Sequence, residues 1–183
     1  MNFFIFHGIY GHPDENWFPW LKEELESMGF EVTVPKFPTP IGQSLESWLK
    51  VIEKYEENVG EGTILIGHSL GASFILSFLE RNKKIKAAFL VAGYHKKLDN
   101  EFRELNKTFV EKDFDWEKIK KNCEKFFVIA SDNDPYIPLE TSRELAGMLN
   151  TELVVIRNGG HLNKKAGFLE FPALLDSIKR ILK

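Results

Sequence analysis

TILIGHSLGASFILSFL, Thr63 to Leu79, joins an apolar run to an apolar helical pattern through Gly67, His68, Ser69, Leu70 and Gly71. TILI is apolar at every position after its first, as expected of a strand covered on both faces by helices. ASFILSFL is apolar on most positions, which suits a helix buried in the middle of a larger assembly. Strand, tight turn and buried helix in direct succession make the repeating unit of an α/β protein. Gly67, Gly71 and Ala72 keep the turn small where strand and helix crowd one another.

The same alternation continues on both sides. NFFIF (Asn2 to Phe6), FEVTV (Phe30 to Val34), KAAFLVAG (Lys86 to Gly93), KFFVIAS (Lys125 to Ser131) and ELVVI (Glu152 to Ile156) read as strands beside TILIG (Thr63 to Gly67). WFPWLKEELESM sets Trp17, Leu21, Leu25 and Met28 on one helical stripe, stopped by Gly29. SLESWLKVIEKYEENVG repeats Leu45, Trp48, Leu49, Ile52 and Tyr55, and the final helix aligns Leu174, Leu175, Ile178, Ile181 and Leu182. Six strands alternating with helices predict a parallel, doubly wound α/β sheet. No linker, repeat or compositional break divides residues 1–183, so one domain is expected. The charged stretch Tyr94 to Glu124 has no strand pattern. It is expected to form one or two short helices over the sheet's carboxyl edge, as a small lid or a long crossover.

Composition narrows the function classes. Of 183 residues, 43% are hydrophobic and 28% charged, the balance of an ordinary globular protein. The net charge of −3 comes without a basic stripe, so no nucleic-acid partner is expected. A single cysteine, Cys123, excludes an internal disulfide and a Cys-rich metal site, and fits a reducing compartment. MNFFIFHG lacks a basic leader, and its apolar run is too short for a signal peptide or a membrane span. A cytoplasmic protein without a membrane partner is the expectation.

In doubly wound folds, chemistry gathers at the carboxyl ends of the strands, and Ser69 sits at such an end. Phosphate-binding motifs do not fit: there is neither a P-loop nor a G-x-G-x-x-G. G-x-S-x-G does fit, the turn that lifts a nucleophilic serine above a sheet. The competing reading makes the glycines packing devices and Ser69 a helix N-cap. A nucleophilic serine needs a base and an orienting carboxylate, in chain order Ser, acid, His, each after a later strand. DNDPYIP follows KFFVIAS and offers Asp132, Asn133 and Asp134; RNGGHLN follows ELVVI and offers His161. His7, His12, His68 and His95 all precede the acid. An oxyanion hole needs two backbone N–H groups. Leu70, at the helix N-terminus, is one. HGIYGH, following NFFIF, supplies the other, with Ile9 preferred and Tyr10 the alternative. Tyr10, Trp17, Phe37, Tyr94 and Tyr136 are aromatic residues on predicted loops and are expected at the substrate pocket.

His7-Gly8, GHSLG around Ser69, D-x-x-I-P at Asp134 to Pro138 and GGH ending at His161 resemble the α/β-hydrolase superfamily. With HPDENWFPWL (His12 to Leu21) and VPKFPTP (Val34 to Pro40), nearly the whole chain is similar to the small serine hydrolases related to retinoblastoma-binding protein 9. It is compact, has no large cap and begins two strands later than most superfamily members. The resemblance implies strand order 2-1-3-4-5-6, with Ser69 as nucleophile after the third strand and His161 as base. It selects Asp134 as the acid, because the family acid precedes x-x-[VI]-P. Acyl transfer to water on this triad is the expected chemistry and needs no metal or organic cofactor. With no large cap to enclose a long chain, a carboxylesterase-like enzyme cleaving small acyl esters is expected. Acyl transfer to an alcohol or amine, thioester hydrolysis and peptide cleavage on the same triad are alternatives, as is a non-catalytic binding module. A retinoblastoma-type partner is not implied, since L-x-C-x-E is absent and Lys121 stands where leucine is required.

Overall fold

Each apolar run becomes a strand of one sheet. In the computed structural model, residues 1–81 and 83–182 are described; Asn82 and Lys183 lie outside them. The strands are β1 (Asn2–Phe6), β2 (Glu31–Thr33), β3 (Thr63–His68), β4 (Ile85–Val91), β5 (Cys123–Ser131) and β6 (Leu153–Ile156). They pair in parallel throughout, in the order β2-β1-β3-β4-β5-β6. The helices are α1 (Phe18–Ser27), α2 (Leu45–Glu53), α3 (Leu70–Leu79), α4 (Arg103–Val110), α5 (Trp116–Lys121), α6 (Leu139–Met148) and α7 (Pro172–Leu182). This is the compact α/β-hydrolase fold. None of these helices is long and apolar enough to cross a membrane.

The apolar composition of Thr63 to Leu79 follows from its place. Every residue of β3 and of α3 is buried, because helices cover the central strands on both faces. Beside them Phe6, Phe37, Trp48 and Phe74 form an aromatic cluster, with Phe37 stacked on Trp48 at 4.4 Å between ring centroids. The strand order reverses between β1 and β3, so the turns following these two strands emerge side by side at the carboxyl edge.

Three expectations shift at element ends. The strand expected over Phe30 to Val34 keeps only Glu31–Thr33, the stretch that pairs with β1. Helix α1 stops at Ser27 because Gly29 takes φ +87°, which leaves Met28 as an exposed cap instead of a stripe residue. Helix α2 stops at Glu53, and Tyr55 leads a separate 3-10 turn. The stretch 94–124 holds α4 and α5. Helix α4 packs on α3, and its Phe109 meets Trp48 edge-on at 5.0 Å. After it, Lys112 pairs with Glu80, and Glu80 Oε1 also accepts the Asp115 N–H at 2.9 Å.

Candidate active site

Ser69 is the hinge between β3 and α3. Its backbone sits at φ 56°, ψ −119°, a conformation that costs an L-residue energy and turns the side chain out of the core. Its N–H donates to Val91 O at 2.9 Å, anchoring the turn to β4. A Cβ on Gly67 would lie 2.6 Å from Ala72 N, and one on Gly71 would lie 2.7 Å from His7 O. Both glycines are thus required by close approach. Leu70 opens α3, and a first-turn amide has no carbonyl of its own helix to bond.

The turn after β1 approaches from the other side. Neutral His7 donates from Nδ1 to Gly8 O (2.8 Å) and accepts the Phe37 N–H at Nε2 (3.0 Å). Burial pushes the ring down to about 4, so it stays neutral. Gly8 O also accepts from Gly11 N at 3.1 Å, closing a tight turn. Within that turn the Tyr10 N–H is engaged by Thr39 Oγ1 at 2.8 Å. The Ile9 N–H has no partner among the described residues. Of the two amides considered for this loop, Ile9 is the free one.

The loops after β5 and β6 are tied together residue by residue. Asp132 Oδ1 accepts the Asn158 N–H (2.7 Å), and Asn133 Oδ1 accepts the Gly160 N–H (2.8 Å). Asp134 Oδ2 faces His161 Nδ1 at 2.8 Å. Asp134 Oδ1 takes the N–H groups of Tyr136 (2.9 Å) and Ile137 (3.2 Å), which fixes the carboxylate's orientation. The Asp134 side chain is only 2% exposed and that of His161 11%. Since the carboxylate can only accept, His161 carries its proton on Nδ1 and leaves Nε2 free to take one.

Two further rings brace the backbone at His161 and at its neighbour Leu162. His68 Nε2 donates to His161 O at 2.8 Å, and Trp17 Nε1 donates to Leu162 O at 3.0 Å. Burial, reinforced by the nearby His161, pushes His68 down to about 3, so it too stays neutral. Leu162 holds φ 50°, a strained conformation kept in place by these buried contacts. A cavity of about 440 Å³ opens beside these groups, lined by Ile9, Ser69 and His161 among others.

Residues 3–180 match the sequence model of the Serine hydrolase family. The chain belongs to the serine hydrolase family. The hydrolase is 33% identical over 176 residues to YdeN of Bacillus subtilis, named as a hydrolase, covering 94% of this chain and 92% of that one. It is 31% identical over 167 residues to serine hydrolase RBBP9 of Rattus norvegicus, covering 91% and 86%. The crystal structure of the B. subtilis ydeN gene product superposes with a TM-score of 0.93 at 32% identity, over 99% of this chain and 98% of that one. Est1E from Butyrivibrio proteoclasticus shares the fold, with a TM-score of 0.72 at 18% identity over 99% and 88%.

Of the aromatic residues expected at the pocket, Tyr10, Tyr94 and Tyr136 line the hydrolase's cavity. Trp17 and Phe37 do not. Both are in the core, at 0% and 2% exposure. Trp17 packs edge-on against Phe18 and spends its one polar atom on Leu162, while Phe37 is sealed between Trp48, Phe74 and Phe6. The sequence reading missed Leu98, Phe102, Asn106 and the segment Asn163 to Lys165 as cavity walls. Phe102 meets Tyr10 at 6.2 Å and Tyr136 at 5.7 Å, and Tyr136 meets His161 at 5.0 Å, a row of rings along the mouth. No spacing in the sequence marks Phe102.

Proposed function

We propose that this serine hydrolase cleaves small carboxylic esters through Ser69, His161 and Asp134. The observation that carries the proposal is the 2.8 Å contact between His161 Nδ1 and a twice-anchored Asp134 carboxylate, beside the cavity that holds Ser69 on its strained turn. His161 Nε2 removes the Ser69 proton as Oγ attacks the carbonyl carbon. The negative charge that develops on the carbonyl oxygen is met by the Ile9 and Leu70 N–H groups. Collapse expels the alcohol, which takes its proton from His161. Water, deprotonated by the same nitrogen, then releases the acid and restores Ser69. Asp134 holds the ring and stabilises the imidazolium without accepting its proton. Three protein groups and a water balance every step. A small substrate suits the cavity's size.

Incubation with a fluorophosphonate, followed by intact mass measurement, tests the proposal. One adduct is expected on the wild type and none on Ser69→Ala, whose kcat on p-nitrophenyl esters falls on the order of 10⁴- to 10⁶-fold. An unlabelled, folded wild type overturns the reading. Comparing ester, thioester and amide forms of one acyl group then fixes which bond is preferred.

A further inference from the structure

A chain of hydrogen bonds runs from the turn after β1 to the cavity wall. The Tyr10 N–H donates to Thr39 Oγ1 (2.8 Å), and the Thr39 hydroxyl donates to Gln43 Oε1 (2.6 Å). Gln43 Nε2 donates to Leu105 O (2.8 Å) and to Asn106 Oδ1 (3.1 Å). Asn106 Nδ2 donates to the Tyr94 hydroxyl oxygen (2.7 Å).

Backbone groups at two points fix the direction of this chain. An amide N–H only donates, so Thr39 receives from Tyr10 and passes its own proton to Gln43. A carbonyl only accepts, so Gln43 turns its nitrogen toward Leu105 and α4. Asn106 must then offer its oxygen to Gln43 and its nitrogen to Tyr94. The Tyr94 oxygen is therefore an acceptor within the protein. Its own proton has no acceptor among the described residues. Burial pushes the phenol above its ordinary range, so the proton stays on. Tyr94 and Asn106 both line the cavity that holds Ser69, which puts their shared bond at its wall. Ser73 Oγ donates to Tyr94 O and ties this residue to α3.

We infer that Tyr94 is a specificity-determining donor, and that the preferred esters carry a hydrogen-bond acceptor oxygen where they meet it. The inference rests on the proposed ester hydrolysis at Ser69. A plain alkyl group at that wall leaves a desolvated O–H unpaired, and an ether, keto or carboxylate oxygen satisfies it. Because the amide of Asn106 sets which way the phenol points, Asn106 and Gln43 position the donor, Gln43 from outside the cavity lining.

Matched esters test this: p-nitrophenyl levulinate against p-nitrophenyl pentanoate for the acyl side, and methoxyethyl against butyl esters of one acid for the alcohol side. The readout is the ratio of kcat/KM within each pair, compared between wild type and variant so that intrinsic reactivity cancels. In at least one pair, Tyr94→Phe is expected to lower the acceptor preference about tenfold. Asn106→Asp is expected to lower it similarly with the phenol still in place, because the new carboxylate takes the Tyr94 proton for itself. Unchanged ratios in Tyr94→Phe overturn the inference. A preference lost in Tyr94→Phe but kept in Asn106→Asp overturns the role of the hydrogen-bond chain. Fluorophosphonate labelling of Ser69 is run alongside: labelled protein with unchanged ratios sinks this inference alone, while an unlabelled wild type sinks the ester-hydrolase reading beneath it.

Discussion

Asp132, Asn133 and Asp134 follow one another after β5, yet each holds a different point of the loop after β6. Chemically similar side chains are sorted by what they reach. Asp132 grips an N–H three residues before His161, and Asp134 reaches the ring itself. Asp134→Ala is therefore expected to lower kcat by roughly 10³- to 10⁴-fold with KM little changed. Asp132→Asn keeps an acceptor oxygen for Asn158 and is expected to stay within about threefold of wild type. Steady-state kinetics on one p-nitrophenyl ester checks both, and equal losses would remove the distinction. From the residues alone, both aspartates were open as the acid. Only the resemblance, through the Ile137-Pro138 that follows, selected Asp134, because a turn's sequence does not say which carboxylate will meet a loop 27 residues away.

At the scale of elements, the strands were legible because burial on both faces leaves a near-continuous apolar run, as Ile64 to Ile66 and Phe89 to Val91 illustrate. Cavity walls leave no such trace. Phe102 and Asn106 reach the cavity because α4 packs on α3, a contact with no period in the chain. Trp17 was open to two readings, on the apolar stripe with Leu21 and Leu25 and at the pocket, and the stripe prevails: packing turns the indole inward until its N–H meets Leu162. That bond joins the start of α1 to the loop carrying His161. Trp17→Phe keeps most of the ring and removes the donor, leaving a buried carbonyl unpaired. A loss of about 1–3 kcal/mol in urea unfolding is expected, with kcat lowered more than KM is raised. Stability and kcat both equal to wild type would show that the bond carries nothing.

For the whole molecule, burial of His7 and His68 contributes to the response to acid. His7 and His68 take up protons at about 4 and about 3 in the folded chain, against 6.5 unfolded. The unfolded chain thus binds more protons below about pH 6.5, and stability present above that pH is lost as pH falls toward these folded values. Each ring accounts for about 2 kcal/mol lost by pH 5. Urea midpoints measured at about pH 7.5 and pH 5 should fall accordingly, and His68→Gln should flatten the difference. A drop as large in that variant as in wild type would assign the acid sensitivity elsewhere.

The amide of Ile9 has no partner among the described residues, and Ile9 also lines the cavity. As the proposed oxyanion donor, it works with an atom that every amino acid except proline supplies. A saturation library would therefore record position 9 as permissive, and a catalogue of essential residues drawn from it would leave out half of the oxyanion hole. The same position offers freedom: its side chain can be rewritten to reshape the pocket while the spelling change leaves the N–H where it was.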